Sequence, residues 1–179
     1  MSEKENKFKD HNLVVYPNPI LRKKCDPIDP WDPDLIDLIS RMVEVMEQHG
    51  GVGLAAPQIG VSKRVFIFSK FHGTPRQQIE VYINPQVVET SKENVVSNEG
   101  CLSFPGGLFG LVSRPKWVRC QAISLTDKHQ NMELVNEEID AVAFFHELDH
   151  LDGKCLIDRM GKLEKRNFLK KYSKLNRSS

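Results

Sequence analysis

The chain has 179 residues, of which 40% are hydrophobic, which is enough to bury the core of one compact domain. Its 25 basic and 24 acidic residues give a formal net charge of +1, so the overall balance predicts neither a DNA partner nor binding to an anionic membrane. No apolar run could cross a bilayer, and the polar start MSEKENKFKDHN lacks the apolar segment of a secretory signal, which favours a cytoplasmic protein. The four irregularly spaced cysteines are expected to be reduced thiols.

The first third of the chain predicts a tail, an irregular segment and one helix. Residues 1–11 are expected to form a flexible N-terminal tail, and residues 12–179 a single domain. The five prolines of LVVYPNPILRKKCDPIDPWDP exclude a long regular element there. Asp32 as N-cap, Pro33 in the first turn and apolar residues at helical spacing predict a helix that extends to about His49.

The middle of the chain predicts a loop followed by strands. GGVGLAAPQIG, residues 50–60, is interpreted as a glycine-rich loop, and it lacks the lysine of a phosphate-binding P-loop. Runs rich in β-branched and aromatic residues at 64–68, 81–90 and 116–127, separated by turn signals, predict a mainly antiparallel sheet. Residues 161–177 predict a basic amphipathic C-terminal helix.

The segment DAVAFFHELDHLDGK, residues 140–154, predicts a buried helix, because it is apolar nearly all round. It nevertheless carries His146, Glu147, Asp149 and His150, and burying such groups without partners costs on the order of several kcal/mol. A metal ion would satisfy them, since histidines four residues apart present their rings to one ion with the glutamate beside them. The expected fold class is α+β, with a mainly antiparallel sheet around this central buried helix.

Two histidines do not complete a metal site. Cys101 in SNEGCLSFPGG is the best candidate for the third ligand, because its thiolate would give an N2S site. Taken singly, His-Glu-x-x-His also occurs by chance on solvated helices, and a lone buried cysteine is more often inert. Zinc endopeptidases share the histidine pair, but they commonly take their third ligand from downstream, where no histidine follows His150. A non-catalytic metal-binding module would close its coordination sphere with a fourth Cys or His.

Three stretches together resemble a known family: GVGLAAPQIG at 51–60, EGCLSFPG at 99–106 and HELDH at 146–150. In order and spacing they are similar to the three motifs of the peptide deformylases. The resemblance extends from residue 16 to residue 160, with a departure at Phe104, where family members more often carry an aliphatic residue. It implies a hydrolase that removes the N-formyl group from the initiator methionine of nascent polypeptides. It also implies one divalent metal ion, expected to be Fe(II) in the cell, with zinc, nickel or cobalt as substitutes.

The resemblance further implies catalytic roles. Cys101, His146 and His150 would bind the metal and leave a fourth position for water, which a divalent cation makes more acidic. Glu147 would take a proton from that water and hand it to the departing amine. The side-chain amide of Gln58 and the backbone N–H of Leu102 would stabilise the carbonyl oxygen as it becomes negative.

Other residues are expected on the substrate side of the site or behind the metal ligands. Val52 and Gly53 would present an extended backbone edge to the substrate chain. Val142 would line a pocket for the methionine side chain, although core packing explains it equally well. Glu99 is expected near the substrate, and Glu99 and Asp149 would hold an imidazole or a nearby arginine in place.

The expected partners follow from the reaction and from the C-terminal helix. N-formylmethionyl nascent polypeptides are the substrates that the resemblance implies. The lysines between the apolar residues of the last helix suggest contact with ribosomal RNA. A solvated amphipathic helix with no partner is the simpler alternative.

Overall fold

The computed structural model describes residues 13–125, 129–135 and 138–175, so the predicted tail at residues 1–11 lies outside the described residues. The described chain forms strands β1 (Gly53–Ala55), β2 (Val65–Lys70), β3 (Gln78–Thr90), β4 (Asn94–Gly100), β5 (Phe109–Pro115), β6 (Val118–Ile123) and β7 (Gln130–Val135). It also forms helices α1 (Leu35–Gln48), α2 (Glu138–Leu151) and α3 (Lys162–Leu175). The α+β class with antiparallel pairing is confirmed.

The strands form two separate antiparallel sheets. One has the order β1-β2-β3-β6-β7, and the other is the hairpin of β4 and β5. The predicted strands at 64–68, 81–90 and 116–127 correspond to β2, β3 and β6. The prediction of a loop is wrong at Gly53–Ala55, which pairs with Phe66, Ile67 and Phe68 of β2. A strand of three residues is too short to show alternation in the sequence, so only its partner reveals it.

The larger sheet is covered on both faces. Along β2, Val65 and Ile67 belong to the hydrophobic cluster that contains the buried residues of α1, whereas Phe66 and Phe68 belong to the cluster that contains Phe144 of α2. Successive side chains of a strand point to opposite faces, so a strand covered on both sides reads as a continuous apolar run. The sequence RVFIF has this character.

Helix α1 begins later than predicted. Its first residue is Leu35, because Asp32 closes the preceding turn instead of capping the helix. The Oδ1 atom of Asp32 accepts a hydrogen bond of 2.9 Å from the backbone N–H of Asp34. The carbonyl of Asp32 accepts another of 3.1 Å from Leu35. The helix ends at Gln48, next to the predicted end.

Helix α2 carries the histidine motif and contacts both sheets, through β1 and β2 on one side and β5 on the other. Its C-terminal half buries the four polar groups of the motif, as the sequence predicts. The predicted burial holds for residues 140–151, none of which is exposed, whereas Ile139, just before the predicted segment, is 76% exposed. None of the described helices combines the length and the apolar character needed to span a membrane.

Helix α3 packs against the loop that follows β4. Phe104 in this loop stacks on Tyr16 with ring centroids 4.8 Å apart and meets Phe168 and Tyr172 of α3 edge-on. The hydroxyl of Tyr172 donates a hydrogen bond of 2.7 Å to the carbonyl of Tyr16. An aromatic residue at position 104 therefore fills a cluster that an aliphatic side chain would fill less completely.

Candidate metal centre and active site

Helix α2 and the loop after β4 bring three potential metal ligands together. Donor atoms of Cys101, His146 and His150 all lie within 4.8 Å of one another, and Cys101 Sγ lies 3.2 Å from Nε2 of His150. Residues four apart share one helix face, which explains the histidine pair. A thiolate and two imidazole nitrogens at this separation fit one divalent ion such as iron or zinc.

The surroundings of Cys101 favour its thiolate form. Burial alone raises the pKa of a thiol, but the neighbouring imidazoles of His150 and His146 outweigh this effect and lower the pKa of Cys101 to about 5. The thiolate, not the thiol, is the metal-binding form. The deprotonated ligand is therefore the favoured form of Cys101 at neutral pH.

A network of buried ion pairs holds His146 from behind. Its Nδ1 lies 2.9 Å from Oε2 of Glu99, which leaves Nε2 to face the other ligands. The guanidinium of Arg114 binds Glu99 through two hydrogen bonds of 2.9 Å, from Nε and from Nη2. Its Nη1 donates a third bond of 2.5 Å to Asp149, which Arg159 also binds. A carboxylate on the outer nitrogen of a ligand histidine fixes the orientation of the ring.

The charges in this network stabilise one another. Burial alone raises the pKa of Glu99, but hydrogen bonds from His146 and Arg114 outweigh it and lower the pKa to about 2. Burial alone also raises the pKa of Asp149, but Arg159 and Arg114 outweigh this effect and lower that pKa. Glu99 and Asp149 therefore bind one imidazole and two arginines between them.

The carboxyl of Glu147 differs from those of Glu99 and Asp149, because no arginine binds it among the described residues. It is buried beside the ligand histidines, and burial raises its pKa to about 7. Among the described residues, its Oε2 atom has no hydrogen-bond partner. Gly53 makes room for it, because a Cβ atom at position 53 would lie 2.9 Å from the carboxyl carbon of Glu147. The sequence suggests Gly53 as a substrate contact but does not reveal this spatial role.

The side chain of Gln58 is fixed at both ends. Its Oε1 accepts a hydrogen bond of 2.8 Å from the backbone N–H of Ala55. Its Nε2 lies 3.2 Å from Oγ of Ser103 and 3.7 Å from Sγ of Cys101. The amide therefore presents its N–H groups, not its oxygen, toward the ligand cluster.

A cavity of about 670 Å³ opens in front of these groups, a size suited to a small ligand or part of a peptide. Its lining includes Val52, Gly53, Gln58, Glu99, Cys101, Leu102, Val142, His146 and Glu147. Most of the residues predicted for the site therefore face one space. His150 and Asp149 are not part of this lining, and Asp149 lies behind the ligands with Arg114 and Arg159.

Three residues of the site were not singled out by the sequence. Arg114 and Arg159 bind the carboxylates behind the ligands, and Ser103 contacts Gln58. The alternation of β5 contains a signal for Arg114, because it shares the inward register with buried Val112. Ser103 stands inside the EGCLSFPG stretch, but its residue type alone indicates no partner.

The sequence matches the family model described as polypeptide deformylase over residues 10–166. A peptide deformylase of Clostridium botulinum is 42% identical over 151 residues, which are 84% of this chain and 97% of that protein. A peptide deformylase of Thermotoga neapolitana is 40% identical over 166 residues, or 90% of this chain and 93% of that protein. Among solved structures, a plant peptide deformylase has a TM-score of 0.86 at 32% identity and covers 95% of this chain and 91% of its own. A Plasmodium falciparum peptide deformylase has a TM-score of 0.84 at 32% identity, covering 93% and 96%.

Proposed function

The chain belongs to the peptide deformylase family, so it is a metal-dependent hydrolase that removes the formyl group from N-formylmethionyl nascent peptides, and from this premise we propose the role of each residue. The observation that carries the assignment is the cluster of Cys101, His146 and His150 beside the buried carboxyl of Glu147. Within the part of the chain that the structure describes, this cluster includes no fourth Cys or His. That composition favours a catalytic centre over a closed structural metal site.

We propose that Cys101, His146 and His150 hold one divalent ion per chain. The N2S donor set suits several metals, and the metal proposed for the cell is Fe(II), with zinc, nickel or cobalt as substitutes. When bound, the ion supplies Lewis acidity, which polarises the formyl carbonyl and makes a water molecule more acidic. Glu99 keeps the ring of His146 in the orientation that metal binding requires.

Glu147 is proposed as the group that moves the proton. Its Oε2 atom lacks a hydrogen-bond partner among the described residues and belongs to a side chain that lines the cavity. It accepts a proton from the attacking water and then donates that proton to the nitrogen of the departing amine. A carboxyl already engaged in ion pairs, such as Glu99, could not do this at comparable cost.

Gln58 and Leu102 are proposed to stabilise the carbonyl oxygen as negative charge develops on it. Nε2 of Gln58 is turned toward the ligand cluster by its contacts with Ala55 and Ser103. Leu102 follows the ligand Cys101 directly and lines the same cavity, so its backbone N–H is the second proposed donor. Donors fixed before the reaction stabilise the transition state without the cost of reorientation.

The substrate chain is proposed to lie between the edges of the two sheets. β1 and β4 are edge strands in the sheets of the described chain, and Val52, Gly53 and Glu99 from these two edges line the cavity. An extended peptide between them would gain main-chain hydrogen bonds, which do not depend on its side chains. This explains how one enzyme accepts many sequences after methionine, whose own side chain would contact Val142.

The domain, its location and its wider contacts are also proposals. We propose one catalytic domain over residues 12–179, with α2 as its central helix, and a cytoplasmic location. Contact with ribosomal RNA is proposed for α3, because Lys162, Arg166, Lys170 and Lys171 are exposed on it. Lys170→Glu combined with Lys171→Glu should reduce ribosome co-sedimentation without disturbing the aromatic cluster, and unchanged co-sedimentation would exclude this contact.

The direct test of the reaction is formate release from a formyl-methionyl tripeptide by anaerobically purified protein loaded with Fe(II). The same tripeptide with an acetyl group in place of the formyl group serves as the control. Formate from the first substrate and no cleavage of the second is the expected result. Cleavage of an internal peptide bond would favour the endopeptidase alternative, and absence of formate with metal bound would contradict the proposed roles.

A further inference from the structure

We propose that Ser103 is a positioning residue for the reaction, which fixes the side-chain amide of Gln58 so that one of its N–H bonds remains directed at the reacting carbonyl oxygen. This inference rests on the role proposed above for Gln58. Ser103 and Gln58 are both buried, with 0% and 1% of their surface exposed. Water therefore has little access to compete for the polar atoms that these two side chains share.

The direction of the hydrogen bond between the two side chains follows from a third group. Oγ of Ser103 donates a hydrogen bond of 2.9 Å to the carbonyl of Val14. A hydroxyl has a single proton, so once this proton points to Val14 the oxygen can only accept from Gln58. Because Oγ of Ser103 acts as an acceptor, the nitrogen end of the Gln58 amide must face it, and Nε2 lies 3.2 Å from this oxygen.

The other end of the amide is selected independently. The backbone N–H of Ala55 donates to Oε1 of Gln58 at 2.8 Å. Rotating the amide by half a turn would place a donor against the Ala55 N–H and an acceptor against an oxygen without a free proton. Both hydrogen bonds would be lost in a buried site, which is costly. The two contacts therefore permit a single orientation of the amide.

This orientation directs one proton of the amide toward the metal ligands. The Nε2 atom carries two protons, of which one is bound by Ser103. The same nitrogen donates a long hydrogen bond of 3.7 Å to Sγ of Cys101, so the second proton lies on the side of the metal ligands, where a carbonyl oxygen would compete with the sulfur for it. Ser103 thus acts through Gln58 and does not itself need to touch the substrate.

The backbone around the N-terminal segment holds the two residues in register. The N–H of Val14 donates to the carbonyl of Gln58 at 2.7 Å, and the N–H of Tyr16 donates to the carbonyl of Ser103 at 2.8 Å. One short segment therefore binds both the residue that presents the amide and the residue that orients it. Loss of the hydroxyl alone leaves these backbone contacts in place, so Ser103→Ala is a test of orientation.

The experiment is a double-mutant cycle on the metal-loaded enzyme with a formyl-methionyl tripeptide. Parent, Ser103→Ala, Gln58→Ala and the double variant are compared for kcat, KM and metal content per chain. We expect Ser103→Ala to lower kcat by about 10- to 100-fold, less than or equal to the effect of losing an oxyanion donor, with KM and metal content unchanged. In the Gln58→Ala background the same substitution should lower kcat by less than about twofold, because the group it acts through is gone.

Three outcomes overturn the inference, and they are distinguishable. An unchanged kcat in Ser103→Ala contradicts the positioning role directly. If Gln58→Ala leaves kcat unchanged, the proposed role of Gln58 fails and the role of Ser103 fails with it. If Gln58→Ala lowers kcat but Ser103→Ala lowers it equally in both backgrounds, Ser103 acts by another route. Ser62→Ala removes a buried hydroxyl outside the cavity lining and should leave kcat unchanged. Should Ser103→Ala not fold, Ser103→Cys enters the same cycle, because a thiol is a much weaker acceptor.

Discussion

The two sides of the metal-ligand cluster differ in how completely their polar groups are satisfied. Behind the ligands, Glu99 and Asp149 are bound by Arg114, and Glu99 is also bound by His146. In front of them, among the described residues, Oε2 of Glu147 has no hydrogen-bond partner, and the Glu147 side chain lines the cavity. Both sides are buried, so burial alone does not separate them.

This difference in hydrogen bonding assigns different roles to the two sides. The groups behind the ligands hold the ligands in place, and Glu147 in front of them takes part in the reaction. Saturated ion pairs fix the ligands, since a carboxylate with several strong donors has little tendency to bind a proton. A buried carboxyl without such donors exchanges a proton readily and is available to a substrate. A buried polar group without a hydrogen-bond partner lowers the stability of a fold, so its presence beside a fully paired network indicates a function.

The largest effect is expected for Cys101→Ser, which removes a ligand shared by both sides. A serine hydroxyl stays protonated where the thiol is largely deprotonated, so the site should lose most of its metal and nearly all of its activity. Metal per chain and kcat are measured after dialysis. Cys25→Ser makes the same chemical change in a buried cysteine outside the cluster and should keep its metal. Full metal content in Cys101→Ser would refute the ligand assignment.

Arg114→Met breaks the saturated side. It leaves Glu99 and Asp149 buried without their shared guanidinium, and losing one partner of a buried pair costs about 3–5 kcal/mol of the free energy of unfolding. Metal affinity should weaken by about 10- to 100-fold, because Glu99 no longer fixes His146. Denaturant unfolding and metal titration check both effects.

Arg119→Met is the matched control for that change. Arg119 pairs with Glu89 at 2.9 Å, but both side chains are about half exposed, at 45% and 54%. Its loss should cost less than about 1 kcal/mol. Equal destabilisation by the two substitutions would mean that the buried network has no special role.

Gly53→Ala disturbs the reactive side alone. The new Cβ atom would lie 2.9 Å from the carboxyl carbon of Glu147, so that side chain must move. Misplacement by about 1 Å typically costs on the order of 100-fold in rate, and we expect a loss of that order in kcat with metal content unchanged. Gly161→Ala, where the added Cβ meets open space, should leave kcat as it is. An unchanged kcat in Gly53→Ala would show that the position of Glu147 is not critical.

The smallest effect is expected for Val142→Ala, which enlarges the apolar wall of the cavity. A contact with the methionine side chain predicts a KM raised by up to about 10-fold, in line with the loss of one or two methyl contacts. Core packing of Val142 predicts instead a lower free energy of unfolding with KM unchanged. Steady-state kinetics and denaturant unfolding of the same preparation separate the two.

The sequence predicts the metal-binding residues of the site better than the residues and strands that hold them in place. Cys101, His146 and His150 are predictable because metal ligation restricts residue type and spacing, and α2 makes the i, i+4 pair adjacent. Arg114 is not predictable without β5, whose glycine and mixed residues give a weak strand signal. The two-sided burial of β2 and the strand character of β1 likewise depend on partners distant in sequence.

The difference between the two sides of the ligand cluster is tested most directly with Glu147→Gln. Its melting temperature, kcat and metal content are determined on one preparation. Glutamine keeps the size of the side chain and removes its proton-transfer capacity. We predict unchanged metal content, a melting temperature that does not fall, and a kcat lowered by about 100- to 10,000-fold. A kcat close to that of the parent, or a melting temperature that falls as far as in Arg114→Met, would contradict the assignment of Glu147 to the reactive side.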